Sequence, residues 1–245
     1  MFKDQSHKLS GLQDLQDCTD RLLQLSTTQQ VLAQDCGQIW VDELLDGSLR
    51  LLDICSTAKD CLLQSKESVY EVQSAVRRRG AEAAFTVGAG NYLASGKNVK
   101  KTIRKALGNI KGIRNELIVS SATKENEMLS MLKEAEAVTM SKLESLLYFI
   151  SDPKGQSKQS RWSAISKLMQ PKRVACDSQE LSTNEFEKVD AALKSLISHK
   201  RASIDNFQSD LENLEMCIQD LEMGVECLSR KIIRTRVSLL NIFNH

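Results

Sequence analysis

Proline is nearly absent from this chain. Only Pro153 and Pro171 occur in 245 residues, both in one short region. Proline costs a helix interior about 3 kcal/mol, so residues 1–152 and 172–245 are free to form long helices. Aromatics are also scarce, at 4%, while the 41% hydrophobic content is largely Leu, Ile, Val and Ala. Such side chains fill helix–helix interfaces. Histidine occurs three times, at His7, His199 and His245, and no Cys/His spacing matches a zinc site. No metal and no other cofactor is expected. The sequence shows no signal peptide and no long apolar run, which predicts a chain that is neither secreted nor membrane-spanning. A cytoplasmic protein is expected, with the nucleus and a membrane surface as alternatives.

Seven cysteines, Cys18, Cys36, Cys55, Cys61, Cys176, Cys217 and Cys227, form no C-x-x-C pair. An odd number without a secretory signal reads as reduced thiols. Their expected role is that of small buried hydrophobes.

What the chain does have is helical periodicity. Ile204, Phe207, Leu211, Leu214, Ile218, Leu221, Val225, Leu228 and Ile232 follow a three–four spacing, the seam of a long helix packed on other helices. It is expected to pack within the chain, giving a monomer, with a homodimer as the alternative. Residues 1–10 read as a flexible polar lead, and Leu12, Leu15, Leu22, Leu25 and Leu32 mark a first helix ending near Cys36. A second runs from about Ile39 to Arg79, with the seam Leu44, Leu51, Cys55, Ala58, Leu62, Val69, Val72 and Val76. Leu45, Leu49, Leu52 and Leu63 form a second apolar set, so this helix is expected to be buried on two sides. Gly80, Gly88, Gly90 and Gly96 predict a turn over 80–98. A third helical region then runs from Val99 to Ile150, and a last helix starts near Ser182 or Thr183. The expected fold is all-α: an elongated antiparallel bundle of about four long helices with coiled-coil-like seams. It forms one domain over 11–243, with a linker at 151–183 that carries a short helix over 160–170.

Several blocks carry a family resemblance. They are WVDELLDGSLRLLDICSTAKDCLLQSKE from Trp40, YLASGKNVKKTIRKAL from Tyr92, WSAISKLMQPKRVAC from Trp162, EFEKVDAALKSL from Glu185 and the ending LEMGVECLSRKIIRTRVSLLNI. Together, and in order, they resemble the plant family of domain of unknown function 241, the BYPASS-related proteins. The resemblance spans roughly residues 9 to 243. It implies a land-plant protein, an all-helical fold, no enzyme activity and a link to root and shoot development. Such proteins restrain a mobile root-derived signal that arrests shoot growth. The chain departs from the family pattern at Ser26, where proline is common, at Gly96 and Asn98 in the basic block, and in lacking a longer serine-rich N-terminal tail.

Residues 77–114 hold ten basic residues, Arg77, Arg78, Arg79, Lys97, Lys100, Lys101, Arg104, Lys105, Lys111 and Arg114, against one acid, Glu82. The whole chain is only +1, so the remainder is net acidic. Lys97, Lys100, Lys101, Arg104, Lys105, Lys111 and Arg114 form the candidate surface for an anionic partner. That partner is either an acidic protein of unknown identity or an anionic membrane surface. Nucleic acid ranks behind both, because no aromatics interleave with the lysines as stacking platforms. The bland reading is that the block pairs with acids of the last helix, near Glu212, Glu215, Asp220, Glu222 and Glu226.

Other constellations weigh less. GAGNYLASGKN at 88–98 fails as a phosphate loop, since Asn91 and Asn98 stand where glycine and serine or threonine are needed. Trp162, Ile165 and Met169 share one face of the short linker helix, flanked by Lys158, Arg161, Lys167, Lys172 and Arg173. They are a candidate docking helix for a membrane interface or a partner groove, or they pin the linker to the bundle. Ser157, Ser160 and Ser163 lie among these charges and would each add negative charge if phosphorylated. Acid pairs such as Asp42 and Glu43 lie among other charges and read as solvated faces, so no catalytic residue is expected. The reading is a non-enzymatic plant adaptor or regulator. A peripheral membrane protein is the alternative, and an enzyme acting on a small-molecule signal stands last.

Overall fold

The computed structural model describes residues 2–35, 38–78, 82–120, 127–151, 184–198 and 204–243. Its elements are α1 (Phe2–Leu23), α2 (Ser26–Asp35), α3 (Gln38–Arg77), α4 (Glu82–Ser120), α5 (Glu127–Ser151), α6 (Glu185–Ile197) and α7 (Ile204–Phe243). The chain is an all-α bundle, with no strand among the described residues. α3 and α7 are each 40 residues long, about 60 Å at 1.5 Å per residue.

α3 and α7 form the spine. Lys66 pairs with Glu222 at 2.8 Å, Gln73 donates to Glu215 at 2.8 Å, and Lys59 pairs with Glu226. One number rises as the other falls, so the two helices are antiparallel. α1 runs with α7: Gln13 donates to the Gly224 carbonyl at 3.1 Å and Ser238 to Asp20 at 2.7 Å. α5 packs on α1, α3 and α4, and α6 lies on α7 and α4. The α7 seam is buried from Phe207 to Ile232, closed within the chain; the Ile204 side chain lies outside the described residues.

The core has two apolar parts. The larger includes Leu62, Ile103, Phe149 and Leu221; the smaller gathers Leu23, Leu32, Leu44, Leu129, Leu132, Leu239 and Ile242. On each of α1, α3, α5 and α7 a polar residue lies between them. Gln16 donates to Thr139 at 3.1 Å, and Thr235 donates to Gln16 at 3.3 Å. Beside them Glu136 pairs with Arg50 at 3.1 Å. A Cβ at Gly47 would sit 2.0 Å from the Glu136 carboxylate. Gly47→Ala therefore displaces Glu136 from Arg50 and should destabilise. In a Glu136→Ala background the same change should instead stabilise by about 1 kcal/mol, the ordinary helix gain of alanine over glycine. Urea unfolding of the four chains checks this; the same sign in both backgrounds would refute it.

Burial raises the Glu136 carboxyl above its ordinary 4.5, and Arg50 offsets this in part. The folded chain then takes up that proton more readily than the unfolded one. Stability from this group is therefore present below pH 4.5 and is lost as the pH rises through the folded value. Glu136→Gln should gain on wild type over that rise and keep a constant margin above it. A difference that stays constant with pH would show that Glu136 does not titrate differently on folding.

Several sequence expectations change. Residues 2–10 are not a loose lead but the first turns of α1, with Gln5 and Leu9 buried. The first helix breaks at Gln24–Leu25, leaving Leu25 exposed, and α2 restarts at Ser26. Ser26 is where the resemblance implies proline, and proline suits a first helical residue. Gly88, Gly90 and Gly96 lie inside α4 rather than in a turn. Gly88 faces Ala75 of α3, and a Cβ there would meet the Ala75 methyl at 3.4 Å, an ordinary packing contact. The third helical region, which the sequence left open to an interruption at Ser120–Ser121, is two helices, α4 and α5; the last, with its alternative of a break near His199, is likewise two, α6 and α7. Leu49 and Leu63 are exposed; α3 instead widens its buried face through Ile54 and Cys61. Cys55, Cys61 and Cys217 are buried as expected, and burial pushes the Cys55 and Cys61 thiols up to about 11. Cys18, by contrast, is exposed. Cys36, Cys176 and the linker at 152–183 lie outside the described residues.

Candidate anionic-partner surface

α4 carries no acid between Glu82 and Glu116. Tyr92, Val99, Ile103, Leu107 and Ile110 are its buried line. At 100° per residue, Lys97, Lys101, Arg104, Lys105 and Lys111 fall within an arc of about 120° on the opposite side. All five are exposed. From Lys97 to Lys111 the strip is about 21 Å long. Burying the apolar line thus forces the basic side outward.

The acids expected to neutralise this strip face elsewhere. Glu222 and Glu226 pair with Lys66 and Lys59 of α3. Glu215 accepts from Gln73 and Gln219, and Glu212 from Gln208. Among the described residues no ion pair reaches Lys97, Lys101, Arg104, Lys105 or Lys111. Lys100 is the exception, half-buried and 3.3 Å from Asp190 of α6. The Arg114 side chain and the docking helix Trp162, Ile165 and Met169 lie outside the described residues.

Asp190 is the functional neighbour that sequence reasoning missed. It also hydrogen-bonds Tyr92, whose phenol is held well above its ordinary value by burial first and by Asp190 second. No spacing within EFEKVDAALKSL signals a partner about ninety residues earlier; the docking of α6 supplies it. That docking rests on Asn184, which is fully buried. Its Oδ1 accepts from the Glu187 N–H at 2.8 Å, capping α6, while its Nδ2 donates to the Phe149 carbonyl of α5 at 2.7 Å. Phe186 meets Phe149 edge to face at 6.0 Å. Asn184→Ala loses the cap, about 1 kcal/mol, and leaves a buried carbonyl unpaired, about 1–3 kcal/mol more. Asn184→Ser retains the cap but does not reach Phe149, so chemical denaturation should place it between wild type and Asn184→Ala. Equal losses in the two variants would show that the Phe149 bond adds nothing.

Ser65, Ser68, Tyr92, Ser95, Lys100 and Asp190 line a cavity of about 40 Å³ at the foot of this clasp. Ser65 and Ser68 donate to their own helix carbonyls. The space suits ordered water rather than a substrate. A second hollow of about 240 Å³ lies between α6 and α7, lined by Glu185, Lys188, Asp210, Asn213, Met216 and Asp220.

The fold and the surface can be set against known proteins. The family described as Protein BPS1 matches residues 8–242, nearly the whole chain. The chain belongs to that family. This is the BYPASS-related plant family that its sequence blocks resemble. The match takes in all of α2 to α6, most of α1 and nearly all of α7, the basic strip of α4 included. No curated protein and no solved structure matches the chain. No helix among the described residues is long and apolar enough to cross a membrane.

Proposed function

We propose that this protein is a non-enzymatic adaptor in plant root and shoot development that binds an acidic protein partner through the basic face of α4. One observation carries the reading: Lys97, Lys101, Arg104, Lys105 and Lys111 are exposed and have no ion pair among the described residues. Membership of the BYPASS-related family supports the developmental setting.

Magnitudes favour a protein over a bilayer. A basic residue near an anionic membrane contributes about 1 kcal/mol. Five give about 5 kcal/mol, which corresponds to binding in the range of about 0.1–1 mM. Stable membrane attachment needs a second anchor, and among the described residues of this strip only Val87, one end removed, is a large exposed apolar residue. A folded acidic partner adds directional ion pairs to the same charges.

The test is affinity capture from root extract at low and at physiological salt, run beside sedimentation with neutral and with anionic vesicles. A reproducible partner that is acidic at its contact surface, and that is lost on reversing the α4 charges, supports the adaptor. Sedimentation with anionic vesicles near 0.15 M salt without such a partner would replace it with a membrane role.

A further inference from the structure

Half of the second apolar set of α3 is left uncovered among the described residues: Leu45 and Leu52 pack against the core, and Leu49 and Leu63 do not. Leu49 and Leu63, with Tyr70, lie about 100–160° round the helix from the buried seam. α7 shows the same feature in Met216, Met223, Ile233 and Val237. These seven side chains are 43–64% exposed. The ion pairs of the spine fix the register, so Leu63 stands level with Met223, Tyr70 with Met216, and Leu49 with Val237. On both helices the spacing is seven, with Ser56 and Arg230 at the heptad positions between. A heptad repeat on an outward face is the pattern of a helix seam that lacks its other half.

We propose that a second copy of this chain covers this face. The charge pattern selects the symmetry. Lys59 and Lys66 line α3, and Glu226 and Glu222 line α7 at the same height. A two-fold axis parallel to the helices lays α3 on the α7 of the second copy. Lysines then meet glutamates, Leu63 meets Met223, and the apolar end at Leu49, Ile233 and Val237 meets its own counterpart. An axis across the helices would set lysine against lysine. Such a self-complementary patch is what a two-fold interface requires. From Leu49 to Tyr70 the face is about 33 Å long and about 20 Å wide. That buries on the order of 1,300 Å² in total, within the size of a specific interface. The α7 seam is spent inside each copy, so this contact is separate from it, and it stands independently of the adaptor reading.

The full chain should sediment as a dimer between about 1 and 100 μM. Leu63→Lys with Met223→Lys should raise the dissociation constant about a hundredfold or more, with an unchanged helical spectrum, because both positions face solvent in a single copy. In a Cys18→Ser background, Leu63→Cys mixed with Met223→Cys should cross-link between chains more than either alone. A wild-type monomer across that range overturns the proposal, whether another protein or another part of this chain covers the face. So does a dimer that ignores the lysine pair, or one that cross-links only Leu63→Cys to itself.

Discussion

Changing Lys101, Arg104, Lys105 and Lys111 together to glutamate is expected to abolish partner capture while the bundle stays folded. Each reversal removes an attraction and adds a repulsion. Exposed ion pairs are individually worth about 0.2–1 kcal/mol, so four reversals, each counted as a lost attraction and an equal repulsion, should cost about 2–8 kcal/mol, at least about tenfold in affinity at low salt. The effect should shrink towards physiological salt, where the screening length is about 8 Å. Stability should change little, because all four side chains are exposed and have no ion pair among the described residues. Lysine, arginine and glutamate are all good helix formers. Lys100→Glu should behave differently. It sets two carboxylates together at Asp190 and loosens α6, so it belongs in a separate variant. Capture unchanged by the four reversals, at any salt, would end the reading of α4 as the contact surface.

Leu221→Asp should unfold the chain. Leu221 is fully buried in the middle of α7 and belongs to the larger core. Truncation to alanine there should cost about 3–5 kcal/mol through lost transfer and a residual cavity. Aspartate adds an unpaired buried charge to the same loss. The sum approaches the whole stability of an ordinary domain, about 5–15 kcal/mol. Ser209→Ala, on the exposed side of the same helix, should stay within about 0.5 kcal/mol of wild type. Circular dichroism and denaturant melts check both. A cooperatively folded Leu221→Asp chain would mean that the α7 seam is not the centre of the bundle. The variant also serves the capture experiment, since a partner held equally by an unfolded chain is binding exposed apolar surface.

These two experiments probe features of different legibility. The α7 seam was readable residue by residue, because a 3.6-residue period shows directly which side of a helix is apolar. The α3 seam was readable in the same way, and every member from Leu44 to Val72 is buried. The basic strip followed as well: on α4 the lysines lie opposite the buried line. Periodicity does not report what covers a face. Leu49 and Leu63 look like core in the sequence and are exposed in the bundle, because α7 covers one flank of α3 and α4 and α5 the other.

Glycine misled for a related reason. A run with Gly88, Gly90 and Gly96 has the local signature of a turn, yet α4 passes straight through it. The contact of Gly88 with Ala75 is a tertiary one with no local sign. The break after Leu23 was equally silent without proline at Ser26. By itself, then, the sequence determined the helical class, the two long seams and the basic side of α4, all of which are properties of one helix turning about its own axis. Only the tertiary structure decided that Asp190 takes Lys100, that Asn184 joins α5 to α6, and that one face of α3 and α7 stays open. Those depend on which helices become neighbours, and contacts between residues far apart in the chain leave no period to read.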